Sequence, residues 1–268
     1  MKFAAAVLAM FVLVAFAAPA IAPYDPRETP QSETQKNLAP SAAHPFGTDQ
    51  FSRDVLSRVM FGARVSLGVA AAAVALALTL GAAVGALAGY SGGWTDIVCM
   101  RFVDALMAVP RVLLLLVIVA TTGPPSVAGL ILLLGFTGWA TTSRIVRAEV
   151  RALRERDFVL ASRALGAPES RVFFAHILPG IVPQILVMAT LALATVIPLE
   201  AGLSFLGLGI QPPTPSWGNI IGDAAAHPAD AWWVVLFPGL AIVCTVLAVN
   251  TIGENLRKRL DRRGAVIA

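Results

Sequence analysis

The residues Gly89-Tyr90-Ser91-Gly92-Gly93 have the spacing G-x-S-x-G, a turn that can present a serine hydroxyl for nucleophilic attack. Such a serine needs a base within hydrogen-bond reach. The histidines are His44, His176 and His227. Charge topology puts Ser91 on the opposite side of the membrane from His44 and His227, so no nucleophile and base come together. The lysines are Lys2, Lys36 and Lys258, and none follows a glycine. A phosphate loop needs Gly-Lys-Ser/Thr, so this chain does not hold ATP. Cys99 and Cys244 are far apart in apolar surroundings, with no disulfide or metal pattern, and read as small buried hydrophobes. The scattered histidines suggest no metal site. What remains is charge placed in apolar sequence, which marks function by default. Arg101 and Asp104 are three residues apart, on one helix face, and read as a neutralising pair or as pore residues. Glu200 lies about nineteen residues into its span, a rise of ~28 Å. That places it near the outer surface, as a gate or as a hydrogen-bonding group in the next turn. None of this is an enzyme's equipment.

The elements that carry these residues are membrane helices. The chain has 268 residues, 57% hydrophobic and 13% charged, against roughly 25% charged in soluble domains. Its net charge of +4 is too small to suggest nucleic acid. The fold class expected is all-α, polytopic, with about six transmembrane helices. Residues 1–22 form a first transmembrane helix that also looks like a signal peptide. Residues 23–61 are a polar, proline-rich external loop. Residues 62–253 hold the remaining spans: Gly62 to Gly89, Ile97 to Ala120, Val127 to Ile145, Ile181 to Leu203 and Trp232 to Gly253. Residues 254–268 are a basic tail. Gly81, Gly85 and Gly89 recur every four residues, a bare helix face on which another helix can pack closely.

Seven of the twenty Lys and Arg lie between Arg144 and Arg171. This basic loop, residues 144–180, and the basic tail read as cytoplasmic, which also places the N-terminus inside. Gly202 to Ala231 has no Lys or Arg and carries Asp223 and Asp230, so it reads as external. Arg53, Arg58 and Arg64 weigh mildly against this orientation. Within the loop, Asp157 to Leu165 reads as a helix, Gly166 breaks it, and a second helix runs from Arg171 to Leu178. Pro179 and Pro183 lead into the fifth span. A helix, a glycine turn and a helix make a small apolar knob, suited to a groove in a partner.

Leu160-Ala161-Ser162-Arg163-Ala164-Leu165-Gly166, followed by Ile177-Leu178-Pro179, resembles the EAA loop of ATP-binding-cassette importer permeases. Leu160 stands where that family often has Glu, and Ser162 where it often has Ala. His44 to Gly68, Arg101 to Asp104 with Pro110, Leu203 to Asp223 and Gly253 to Arg257 resemble the dipeptide, oligopeptide and nickel branch, specifically its C-type subunit. The Gly-x-Ser-Gly of Gly89 to Gly92 also resembles that of rhomboid intramembrane proteases, but no histidine lies in the sixth span where their base is expected.

The first resemblance implies the type I importer membrane fold in the cell's inner membrane. It implies a heterodimeric pore with a second, related permease, two ATPase subunits that bind ATP and magnesium, and an external substrate-binding protein. The chain itself would carry no cofactor, and its surroundings would be membrane lipid. The coupling residues would be Leu160 to Gly166 with Ile177, Leu178 and Pro179. Pore or gate candidates are Arg101, Asp104 and Glu200. The rigid segment Pro212, Pro213, Pro215 and Trp217 would face the docking protein. Di- or oligopeptides are the substrates implied first, with nickel complexes and glutathione as alternatives.

Overall fold

A computed structural model describes residues 2–28, 35–224 and 231–267, with side chains as far as Leu260. Pro30, His227 and Asp230 lie outside the described residues. Ten α-helices account for most of the described chain, and its only β-pairing is a bridge between Thr48 and Asp54. Helices α1 (Lys2–Ile21), α2 (Val55–Ser91), α5 (Val127–Arg154), α8 (Leu178–Phe205) and α10 (Trp232–Ile267) are each long and apolar enough to cross a bilayer. Intrasegment hydrogen bonding satisfies every backbone group within such a helix, which is why apolar sequence of this length folds so. The pair α3 (Gly93–Ala108) and α4 (Arg111–Thr122) makes a sixth candidate.

That third span differs from the expectation of one continuous helix. α3 and α4 meet at 78°. The connection expected between Gly89 and Ile97 is also shorter. α2 runs on to Ser91, and Gly92 and Gly93, at φ 66° and 52°, turn the chain directly into α3. Such positive φ values suit residues without a Cβ.

Two compact units divide the chain. The first unites Met1–Ala73, Leu116–Ile131 and Ala192–Ile252. Trp217, at the start of α9 (Trp217–Asp223), is its anchor. The indole is wholly buried, donates from Nε1 to the Val59 carbonyl at 3.1 Å and meets the Phe11 ring edge-on. Gly218 lets α9 lie against α8, since a Cβ there would come within 2.6 Å of Ala201 Cα. Phe46 stacks on Phe237, and Trp233 Nε1 donates to the Thr48 carbonyl. The polar segment before α2 is thus pinned by buried aromatics.

The second unit unites Val74–Leu115, Leu132–Leu191 and Gly253–Ala268. Its core joins Ala77, Val103, Trp139 and Ala140. Gly81, Gly85 and Gly89 sit on the face of α2 that touches α5. A Cβ at Gly81 would meet Thr142, one at Gly85 Ser143 and Val146, and one at Gly89 Arg147 and Val150. Arg144, Arg147, Arg151 and Arg154 follow one stripe along the far end of α5. Arg147 pairs with both oxygens of Asp96 on α3, and Arg151 approaches the same carboxylate at 3.8 Å.

Candidate functional site

The expected basic loop is shorter than residues 144–180, because α5 continues to Arg154; the rest folds as α6 (Asp157–Ala164), a turn, α7 (Glu169–Val172) and a wide π-turn, Phe173–Ile177, that runs directly into α8. The end of α6 is a Schellman motif: Gly166 N–H donates to the Arg163 carbonyl and Ala167 N–H to that of Ser162. The motif needs a left-handed residue at its turn, and Gly166 supplies it at φ 83°. Leu160, Ala161, Ala164 and Leu165 are all exposed, Leu165 at 89%. Ser162 and Arg163 face partly inward. Ser162 Oγ lies 3.3 Å from His176 Nε2, which ties α6 to the π-turn. Ile177 is buried, Leu178 is half-buried and Pro179 is exposed. Pro179 and Pro183 fall inside α8 and do not interrupt it. The π-turn lies just before Pro179, whose missing N–H leaves the Ala175 carbonyl without its usual donor.

Tyr90, a turn residue by sequence, is the centre of a clasp on this loop. Its hydroxyl donates to the Glu169 carboxylate, and Arg163 Nη2 donates to the same group at 3.0 Å. Arg154 Nη1 donates to the Tyr90 carbonyl at 2.6 Å, and the Arg154 and Arg163 guanidinium groups both lie near the Tyr90 ring. The basic loop is therefore fastened to the end of α2 as well as continuing into α8. Sequence spacing could not supply Tyr90, because its partner is 79 residues away. Ser91, beside it, is exposed and hydrogen-bonds no histidine among the described residues.

The three pore candidates stand apart from one another. Asp104 pairs with Arg144 of α5, not with its helix neighbour Arg101. Packing of α3 on α5 brings a second cation to the carboxylate. Arg101 is exposed, on a charged cavity of about 510 Å³ lined also by Asp96, Asp104, Arg144 and Arg147. Glu200 is wholly buried near the end of α8. Ser204, one turn on, donates to its Oε1 at 2.8 Å and accepts from Ile210 N–H. Ser66 and Ser216 are its other polar neighbours. Ser66 accepts from Trp217 N–H, and Ser216 caps α9 by accepting from Asn219 N–H. Glu200 thus sits among serines that hold the segment leading into α9 and the first turn of that helix.

Above this lies an ion cluster unseen in the sequence. Asp49 accepts from Arg53 Nε at 2.7 Å and Arg58 Nη1 at 2.5 Å. Asp223 accepts from Arg53 Nη2 at 2.6 Å and Arg58 Nη1 at 2.8 Å. Two cations meet two anions, and Arg58 is only 2% exposed. His44 Nδ1 meets Asp54 at 2.9 Å beside them. Arg53 and Arg58 are therefore neutralised within the protein, which explains how they sit at this end of α2. Together these contacts fasten residues 44–58 to α9 as a polar cap.

An all-helical multi-span chain with a polar cap and an exposed helical knob defines a membrane transport subunit. Residues 81–265 match the family described as binding-protein-dependent transport system inner membrane component. Residues 2–40 match the N-terminal transmembrane domain of oligopeptide transport permease C. The dipeptide transport system permease protein DppC of Alkalihalophilus pseudofirmus is 41% identical over 255 residues, 95% of this chain and 83% of that relative. A putative peptide permease protein of Brucella suis is 44% identical over 229 residues, 85% of this chain and 76% of that relative. The chain belongs to the binding-protein-dependent inner-membrane transport components, of the oligopeptide permease C type. It is a multi-pass permease of the inner membrane and not itself an enzyme. It works with an ATPase, which binds the ATP, and with a binding protein.

Proposed function

We propose that this chain forms half of a pore for di- or oligopeptides, paired with a second, related permease, and that its partner ATPases number two. The relatives named above support a peptide substrate. In this reading the basic loop and α10 tail face the cytoplasm, and the polar cap faces the binding protein. ATP binding draws the two ATPases together, and the α6 knob moves with one of them. The clasp at Tyr90 and the continuous path into α8 carry that movement to two spans, which switches the pore between its inward- and outward-facing arrangements.

The observation that carries this reading is the apolar tip of the loop, the most exposed of its large hydrophobic side chains. Leu165 presents nearly its whole side chain at the Gly166 turn. A buried apolar anchor in a partner's groove is worth about 2 kcal/mol or more, so its loss weakens association ~30-fold. The test is co-purification of the ATPase with the permease pair from membranes. Leu165→Asp is expected to leave the permease in the membrane and release the ATPase. Gly166→Val, forced into a left-handed conformation, is expected to keep ATP hydrolysis but lose its coupling to peptide uptake. Normal uptake by both variants would overturn the assignment.

A further inference from the structure

Arg111 stands where the third span breaks. α3 and α4 have sixteen and twelve residues, rises of about 24 and 18 Å, so neither crosses a ~30 Å hydrocarbon core alone. Between them Val109 is extended, and Pro110 has no N–H to answer the Leu106 carbonyl. Bare backbone and a guanidinium are not tolerated against lipid. They occur at membrane depth only where protein buries them or water reaches them. Arg111 Nη2 donates to the Leu134 carbonyl at 2.7 Å, and Nε faces Thr137 Oγ1 at 3.3 Å. Gly138 makes the seat, since a Cβ there would come 2.9 Å from Nη2. No carboxylate pairs with Arg111 among the described residues. A guanidinium has five N–H donors, and these two contacts leave three. Arg111 borders a cavity of about 190 Å³ that also receives Thr137 and Thr141. That volume accommodates a carboxylate with a small side chain.

We infer that the break in the third span is a station on the translocation path, where Arg111 holds the carboxylate of the passing peptide. The inference rests on the peptide reading above. A free α-carboxylate is common to peptides of every sequence, so one fixed fork serves them all. The fork is planar and suits a carboxylate bidentately, whereas lysine offers only a point charge. The two remaining contacts, to a carbonyl and a hydroxyl, orient the guanidinium without neutralising it.

The test uses the complete importer in proteoliposomes, with binding protein saturated by peptide. Uptake of a neutral dipeptide is compared with that of its C-terminal amide and of an amide carrying an aspartyl side chain. Arg111→Gln is expected to cut uptake of the free acid about tenfold, the loss of one charge-assisted contact. The amide without an aspartyl side chain has no carboxylate for Arg111 to hold, so its uptake should fall by less than about twofold in the variant on the same scale. The aspartyl amide separates the two sources of carboxylate: sensitivity of the free acid alone assigns the α-carboxylate, and equal sensitivity assigns carboxylates generally. Arg111→Lys should retain part of the free-acid uptake. Free-acid uptake at the wild-type rate by Arg111→Gln would overturn the inference, and so would equal loss for acid and neutral amide, which marks a structural role. If the wild-type importer takes up no peptide at all, the substrate reading falls first and this inference with it.

Discussion

Replacing single glycines of α2 by alanine tests the packing of that helix with an internal control. At Gly81 an added Cβ would lie 2.5 Å from Thr142 Cβ and 2.7 Å from the Trp139 carbonyl. At Gly85 it would strike the Ser143 carbonyl and stand 2.9 Å from Val146 Cβ. At Gly89 its nearest neighbours are the Arg147 carbonyl at 2.7 Å and Val150 Cβ at 3.1 Å. Most of these neighbours are backbone or Cβ atoms, which cannot swing away, so the helices must separate. Such overpacking costs about 1–3 kcal/mol. Alanine returns about 0.5–1 kcal/mol, because glycine is the poorer helix former. The net expectation is a loss of about 1–2 kcal/mol for each of the three, smallest at Gly89. Gly68 lies on the same helix with nothing within 4 Å of an added Cβ. There alanine should be neutral or stabilise by up to about 0.5–1 kcal/mol. Thermal unfolding of the purified permease in detergent measures all four on one scale. Equal shifts at Gly68 and Gly85, or no loss at either Gly81 or Gly85, would refute the reasoning from close approach.

Two further substitutions address the polar cap. Asp223→Ala leaves Arg53 and Arg58 with Asp49 alone, and a broken buried pair costs about 3–5 kcal/mol. Because Asp49 keeps half the countercharge, the lower end is expected in the same unfolding assay, and Arg58→Met added to it should restore part of the loss. Strict additivity of the two would show that no coupling exists. Glu200→Ala removes the acceptor for Ser204 and leaves a small cavity, an expected loss of about 2–3 kcal/mol. Glu200→Gln keeps an oxygen for Ser204 and should lose less than half as much. If Gln and Ala are equally damaging, the charge itself is used and the hydrogen-bonding account is wrong.

Local signals brought the chain close to its structure. The hydrophobic runs at α1, α2, α5, α8 and α10, and the left-handed turn at Gly166, follow from rules that act within a few residues. The four-residue glycine spacing named the face of α2 and not the helix that covers it. Pro110 lies inside the expected third span, but whether a helix continues past it straight or at 78° depends on what it packs against. The charged pairs were least legible. Asp104 had a cation three residues away and yet takes one forty residues away, because α5 lies across α3. The sequence named Tyr90 only as part of a turn and Asp223 only as an acid in an external segment, since hydroxyl and carboxylate acquire their partners only when distant arginines and Glu169 arrive. Arg111 was visible as a charge in an apolar run, and only the broken backbone around it singles it out.

The polar cap also fixes an order of assembly. Arg58 meets Asp49 across nine residues, so that contact is available as soon as the segment before α2 has been made. Its second anion, Asp223, follows 165 residues later. Trp217 comes 151 residues after the Ser66 that receives its N–H. Between them the ribosome must deliver α2, the broken span, α5 and α8. The cap therefore closes only near the end of synthesis, and until then one aspartate holds two arginines. A chain stopped before α9 would lack the second anion for Arg53 and Arg58 and the indole that anchors the first unit.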